Sequence, residues 1–126
     1  MRFEIRNRPD GKFVECSCRG TVTSDAMQVA VADMRQIEGY AGGLGALWDF
    51  RQADLSSFSV DDMKSLLDFM DQTPKRRSAR VALIVARKPD VMLLELWRAI
   101  SSDRYGQSTK IFEDYEAACL WLLSPD

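Results

Sequence analysis

Charged side chains close three apolar runs of this sequence, where they could bind a ligand or transfer a proton. A carboxylate beside guanidinium or ammonium groups can accept a proton or help to hold an anion. Because ligands of open α/β sheets bind outside the carboxyl ends of the strands, we predict a ligand site there, formed by Asp49, Arg51, Arg87 and Lys88. Gln52 and Glu113 are expected at the same edge. The alternative is that all these side chains are solvated strand ends.

Enzymatic chemistry at this site would have to proceed without histidine, because the chain contains none. Ser-His and Cys-His nucleophilic pairs are therefore excluded within the chain. An enzyme would use Asp49 as a base, with Arg51 or Lys88 to hold an anion. We predict instead a non-enzymatic protein that has no catalytic residue and no cofactor.

The three cysteines are predicted to be structural. Cys16 and Cys18 lie two residues apart in a strand-like segment, so they point to the same face and extend an apolar row that begins at Val14. A metal site would need further soft ligands, and the remaining cysteine is Cys119. We therefore predict no metal site.

Composition and charge indicate one globular domain spanning residues 1–126. Apolar residues make up 46% of the chain and charged residues 29%, and the formal net charge is −2. A nucleic-acid-binding domain would usually be clearly basic. No apolar run approaches the ~18 residues needed to cross a bilayer, and the first residues lack the apolar stretch of a signal peptide. These features predict a cytoplasmic protein with no nucleic-acid partner and no transmembrane segment.

The elements that must position the candidate site follow from the spacing of apolar residues. A hairpin that turns at residues 9–11 precedes a helix that is capped at Thr23 or Ser24 and ends at Gly39. Strands and helices then alternate, and the strands are predicted at residues 46–50, 81–86 and 109–112. The predicted fold is a single α/β domain of order β-β-α-β-α-β-α-β-α, with a mixed five-stranded sheet, an N-terminal hairpin and four helices. Right-handed crossovers make the later strands parallel, and the hairpin supplies an antiparallel edge strand.

The helix after Pro89 carries more apolar side chains than one face of a sheet requires. The stripe predicted to face the sheet comprises Leu93, Leu96, Trp97 and Ile100. Three other side chains, Val91, Leu94 and Arg98, are predicted to line a homodimer or ligand-binding surface. The alternative is a wide stripe that is partly covered by the neighbouring helix.

A basic cluster precedes the strand predicted at residues 81–86. It comprises Lys75, Arg76, Arg77 and Arg80. A strand of about seven residues spans roughly 23 Å, so this cluster lies at the edge of the sheet opposite to Arg87 and Lys88. We predict that it is a solvated loop; contact with an anionic membrane or an acidic partner is the alternative.

Ser59 precedes a helical segment in which Asp61 and Asp62 come next. The spacing matches a capping box, in which the serine oxygen accepts an amide hydrogen and the acid three residues later reaches back to the serine amide. Helix capping is therefore sufficient to explain a serine at this position.

Three segments resemble the SpoIIAA-like branch of the STAS superfamily. They are LWDFRQADL, with an acid and an arginine at the end of a strand; RVALIVARKPD, which enters the third helix; and KIFEDYEAACLWL, the closing strand and helix. The resemblance covers roughly the last eighty residues, and the N-terminal hairpin agrees with the fold. It implies a regulatory or binding module and not a reaction.

The resemblance also bears on Ser59. In the anti-sigma-factor antagonists of the superfamily, a helix beginning with an Asp-Ser-Ser-Gly type motif carries a regulatory phosphoserine. Ser59 is the nearest match here, but the second serine and the glycine are missing. Asp61 and Asp62 would also repel a phosphate, so we predict a cap and not a regulatory phosphosite.

Taken with the residues, the resemblance leads to a small STAS-like module that binds a protein partner or a small apolar-anionic ligand. A lipid or small-molecule carrier of Sec14-like type is the alternative, and the enzyme based on Asp49 and Arg51 is a third hypothesis. A homodimer is compatible with the first of these.

Overall fold

The computed structural model describes residues 1–72, 76 and 79–125. The strands are β1 (Arg2–Asn7), β2 (Phe13–Thr21), β3 (Gly45–Asp54), β4 (Arg80–Ile84) and β5 (Ser108–Phe112). The helices are α1 (Ser24–Met34), α2 (Val60–Asp71), α3 (Lys88–Tyr105) and α4 (Tyr115–Leu123). This order confirms the predicted α/β fold with an N-terminal hairpin and four helices. Within the described ranges, no helix has the length and apolar character needed to cross a membrane.

The strands form one mixed sheet in the spatial order β1-β2-β3-β4-β5. β1 is antiparallel to β2, whereas each of the other neighbouring pairs is parallel. Parallel neighbours need crossover connections, and α1, α2 and α3 supply them. The prediction of an antiparallel edge strand beside parallel strands is therefore confirmed.

The hairpin that joins β1 to β2 closes at Gly11. Its φ of 67° lies in the left-handed region that glycine adopts without strain, and its N–H donates to the carbonyl of Arg8 at 3.0 Å. In β2, Cys16 and Cys18 are buried on the same face of the sheet as Val14, as predicted. No metal-binding group of three or more His, Cys, Asp or Glu side chains occurs in the part of the chain that the structure describes.

The sheet separates two apolar layers of unequal size. On one face, helices α1, α2 and α3 pack over strand residues such as Trp48 and Leu83. On the other face, α4 packs through Ala118 on Leu47 and Ile84. Because Leu83 and Ile84 are neighbours in β4 but belong to different layers, β4 is covered on both faces, as its unbroken apolar run predicts.

Two elements differ in length from the predictions. β3 continues past residue 50 because Arg19–Thr21 of β2 pair with Gln52–Asp54 and extend the parallel ladder. α1 ends at Met34 and not at Gly39, since the chain after Arg35 continues as successive tight turns. The longer β3 matters for the candidate site, because it places Arg51, in addition to Asp49, within the strand.

Ser59 forms the predicted capping box at the start of α2. Its Oγ accepts a hydrogen bond from the N–H of Asp62 at 3.1 Å, and the Asp62 carboxylate accepts one from the N–H of Ser59 at 2.8 Å. The hydroxyl also donates to this carboxylate at 3.0 Å. A phosphate on Ser59 would replace that donor with a negative charge beside Asp62, so the geometry favours the cap.

The buried side of α3 differs from the predicted stripe. Its buried residues are Asp90, Leu94, Ser101 and Tyr105. The Tyr105 hydroxyl donates to the carbonyl of Leu67 at 3.1 Å, and this bond sets the rotation of α3 against α2. Leu94 was predicted to line a homodimer or ligand-binding surface. The expectation that it is exposed is wrong, because it is only 7% exposed and packs in the core, where it lines an apolar cavity between the helices and the sheet.

The other predicted interface residues lie on either side of that buried stripe. Val91 is half-buried against the core, and Arg98 forms an ion pair with Glu95 at 2.7 Å. Leu96 and Ile100, which were predicted to face the sheet, are 44% and 37% exposed. The stripe of the sequence prediction is thus rotated from the observed one.

The capping box leads to a first stability prediction. Ser59→Ala removes the hydroxyl that satisfies a helix-start N–H, so we expect the free energy of unfolding to fall by about 1 kcal/mol in urea denaturation. Ser57→Ala is the matched control, because Ser57 is exposed and precedes the helix. Equal effects of the two substitutions would show that the cap contributes nothing.

The corrected orientation of α3 leads to a second prediction. Leu94→Glu places an unpaired carboxylate in the core and should lower the free energy of unfolding by about 3 kcal/mol or more. Leu96→Glu introduces the same group on the exposed face and should change it by less than about 0.5 kcal/mol. Chemical denaturation of both variants checks the orientation, and a reversed order of stabilities would contradict it.

Candidate functional site

The predicted ligand residues separate into two places. Asp49 and Arg51 lie in the middle of β3 and point to the face of the sheet that α4 covers. Arg87 is the N-cap of α3 and Lys88 is its first residue, so both lie beyond the end of β4. The prediction placed all four at one edge. Asp49 pairs with Ile84, the last residue of β4, but it lies with Arg51 on the face that α4 covers, whereas α3 packs on the opposite face. Arg87 lies near Asp54; hydrogen bonds with Ser56 and, to a smaller extent, the charge of Arg87 lower the pKa of that carboxyl.

Asp49 and Arg51 lie in an open, charged depression beside α4, which we call the polar groove. Its volume is about 290 Å³. The lining residues are Glu4, Arg6, Glu15, Ser17, Cys18, Arg19, Asp49, Arg51, Gln52 and Tyr115. The groove exists because α4 covers only part of this face and leaves strands β1 and β2 exposed to solvent.

The charges of the polar groove are largely paired with one another. Arg51 donates from Nε and Nη2 to the Asp49 carboxylate at 3.0 Å and 2.8 Å, and its guanidinium lies 5.5 Å from the ring centre of Tyr115. The Tyr115 hydroxyl donates to the Glu15 carboxylate. Burial and this hydrogen bond raise the pKa of Tyr115.

The same pairing determines the chemistry that Asp49 can do. Partial burial opposes ionisation of its carboxyl, but hydrogen bonds from the side chain and the backbone N–H of Arg51 outweigh burial and lower its pKa. A carboxylate with a lowered pKa and occupied oxygens is a weak general base. Arg51 likewise has little capacity for an external anion while it holds Asp49.

A second site lies on the opposite face, between the sheet and helices α1, α2 and α3. It is a cavity of about 70 Å³, which we call the α1–α3 cavity. The rings of Trp48 and Phe50 form part of its floor and stack with their centroids 6.4 Å apart at an angle of 8°. The helices contribute Met27, Val31, Leu66, Met70, Leu93 and Trp97 to its walls. The site is therefore predominantly apolar.

The polar residues of the α1–α3 cavity lie towards one end. They are Tyr40, Arg76, Gln107 and Thr109. Tyr40 and Arg76 precede strands β3 and β4, and the other two are found where β5 begins. This end therefore lies at the amino edge of the parallel strands, opposite to the edge at which the sequence predicted a ligand.

Arg76 is the unexpected residue of this cavity, because its side chain is only 7% exposed. Its Nε donates to the carbonyl of Tyr40 at 2.8 Å, its Nη2 donates to the carbonyl of Leu44, and its guanidinium lies 3.5 Å from the ring centre of Tyr40. Burial lowers the pKa of Arg76 and raises that of Tyr40. Even so, a guanidinium stays charged in proteins.

The prediction of a solvated basic loop is therefore wrong for two of its arginines. Arg76 is buried, and the half-buried Arg80 donates to the carbonyl of Trp121 at 2.7 Å. Lys75 and Arg77 lie outside the described residues. The sequence contains an indication of this burial, because a segment that leads directly into a strand covered on both faces must itself approach the core.

The Asp49–Arg51 pair leads to a prediction on pH dependence. Because folding lowers the pKa of Asp49, the pair stabilises the protein above the ordinary value of 3.8 and loses this effect as the pH falls through the folded-state pKa. We expect Asp49→Asn to lower the free energy of unfolding by up to about 1 kcal/mol at neutral pH. The difference from wild type should shrink as the pH falls below 3.8.

Urea denaturation at a series of pH values measures this effect. Asp33→Asn, at an exposed position in α1, is the matched control and should show a smaller change across the same range. A stability difference for Asp49→Asn that stays constant down to acidic pH would contradict the assignment.

The fold has a counterpart among solved structures. The crystal structure of an uncharacterised protein from the DUF3478 family of Shewanella loihica PV-4, described as having a SpoIIAA-like fold, matches this chain with a TM-score of 0.62. The two sequences are 19% identical, and the match covers 96% of this chain and 92% of that chain. No protein-family profile matches the chain, and no curated protein does. The chain therefore has a SpoIIAA-like fold, as its sequence resemblance implied.

Proposed function

We propose that the protein is a non-enzymatic binding module that holds a small, mainly apolar molecule in the α1–α3 cavity. The observation that carries this proposal is an apolar cavity that the three crossover helices and the sheet line together. Ligand sites in proteins are commonly concave and apolar, with a few polar groups that fix orientation. The α1–α3 cavity has this composition, whereas the polar groove is lined mainly by polar groups whose charges are paired with one another.

The size of the cavity limits the ligand. A volume of about 70 Å³ is roughly half of the ~150 Å³ of an apolar cavity that binds benzene in another protein. The size therefore limits the ligand to a small molecule, no larger than one substituted ring that extends beyond the cavity. It disfavours a long-chain lipid, so a Sec14-like lipid carrier is the weaker alternative.

The enzyme hypothesis receives no support from the residues on which it depended. Asp49 and Arg51 are hydrogen-bonded to each other, and Lys88 lies at the start of α3, outside the polar groove. A base and an anion-holding group must meet at the reacting atoms of a substrate. We therefore propose binding without catalysis. The protein-partner and homodimer hypotheses remain predictions.

Filling the cavity tests the proposal. Val31 lines the α1–α3 cavity, and Val29 lies on the exposed side of the same helix. Val31→Phe should fill the space and lower the affinity for benzyl alcohol by at least about tenfold. Because the cavity leaves room for the larger side chain, the free energy of unfolding should fall by less than the ~1–3 kcal/mol that is typical of overpacking. Val29→Phe makes the same change outside the cavity and should bind like wild type.

Ligand-observed NMR titration measures binding, and thermal denaturation confirms that each variant is folded. Benzyl alcohol should also raise the melting temperature of the wild type, because a ligand that binds only the folded state stabilises it. Equal binding by the Val31 and Val29 variants would place the ligand elsewhere and overturn the proposal.

A further inference from the structure

We infer that the ligand of the α1–α3 cavity is a small aryl or alkyl carboxylate, and that Arg76 binds its carboxylate group. The inference rests on the proposed function and adds the chemical class of the ligand. It assigns the anion site to the amino edge of the sheet, away from Arg51, Arg87 and Lys88.

Arg76 carries its charge on a buried side chain. The residue is only 7% exposed, and no carboxylate of the described chain lies within 4.0 Å of its guanidinium. Moving a charge out of water is costly unless an opposite charge or strong hydrogen bonds compensate for it. Arg76 thus carries a cationic charge into an apolar layer without a protein counter-ion in the described ranges.

The structural contacts of Arg76 do not require that charge. Two carbonyl groups, those of Tyr40 and Leu44, accept from Nε and Nη2, and any neutral donor could satisfy them. A guanidinium has five N–H donors. Its remaining donors, including both on Nη1, make no hydrogen bond to the described part of the chain, and they match the two oxygens of a carboxylate.

Two further polar side chains lie at the same end of the cavity as Arg76. Gln107 and Thr109 line the same cavity, and their side chains make no hydrogen bond within the described chain. Thr109 is paired with Val81 in the register of β4 and β5, which places its side chain towards the helices α1–α3. Polar groups at one end and rings such as Trp48 at the other suit a molecule with one anionic end and an apolar body.

Arg51 provides an internal comparison. Its guanidinium has a carboxylate partner two residues away, in Asp49, and it faces an open groove. Arg76 has no carboxylate partner in the described ranges, and it is only 7% exposed. Of the two arginines, Arg76 is therefore the one whose charge an external carboxylate would compensate.

A matched ligand pair tests the inference on the wild-type protein. Benzoate and benzyl alcohol have nearly the same size, and they differ in charge at neutral pH. We expect the wild type to bind benzoate at least about tenfold more tightly, because hydrogen bonds to charged groups are the stronger ones. Arg76→Gln should remove this preference and keep binding of benzyl alcohol, whereas Arg76→Lys should retain part of the preference.

Arg98→Gln is the control, since it removes a cationic charge from the solvent side of α3 and should leave both affinities unchanged. Ligand-observed NMR gives the affinities, and circular dichroism verifies the fold. If the wild type binds the two compounds equally, the carboxylate inference is overturned while the proposed function stands. If it binds neither at millimolar concentration, the proposed function is overturned as well. The wild-type comparison decides the matter even if Arg76→Gln does not fold.

Discussion

Burial of β4 on both faces is the constraint on which the rest of the structure depends. Leu83 packs under the helices α1–α3, and its neighbour Ile84 packs under α4. A strand with two apolar faces is stable only where other elements cover each of them. The crossovers place α1, α2 and α3 over one face of the sheet, and α4, which follows the last strand, covers the other. The order of the strands, and hence the location of every site, follows from this requirement.

The cover is unequal, and the two candidate sites result from the inequality. Three helices lie on one face, where side chains from three directions meet above Trp48 and leave the α1–α3 cavity between them. One helix lies on the other face, so β1 leaves charged residues such as Glu4 exposed to solvent. The α1–α3 cavity is apolar because core side chains of the helices and the sheet line it. The polar groove is lined by charged side chains that pair with one another at little cost in desolvation.

The sequence was sufficient for features that depend on local spacing. Alternation placed Cys16 and Cys18 on one buried face, and the interval between Ser59 and Asp62 indicated the capping box. It was insufficient where long-range packing decides. The rotation of α3 depends on a hydrogen bond from Tyr105 to α2, and no helical stripe within α3 records that contact. The length of β3 likewise depends on pairing with the end of β2, which the apolar pattern of β3 alone does not contain.

The two arginines of the candidate sites show why charge was the hardest feature to predict. Arg51 and Asp49 lie two residues apart in one strand, so the sequence alone indicates that they can form an ion pair and neutralise each other. Arg76 instead contacts Tyr40 and Leu44, which precede it by 36 and 32 residues in the sequence. Because of these contacts, an arginine that was predicted to be solvated is a buried cation. In a low-dielectric interior a charge interacts far more strongly than in water, so this one position makes one end of the apolar cavity electrostatically positive.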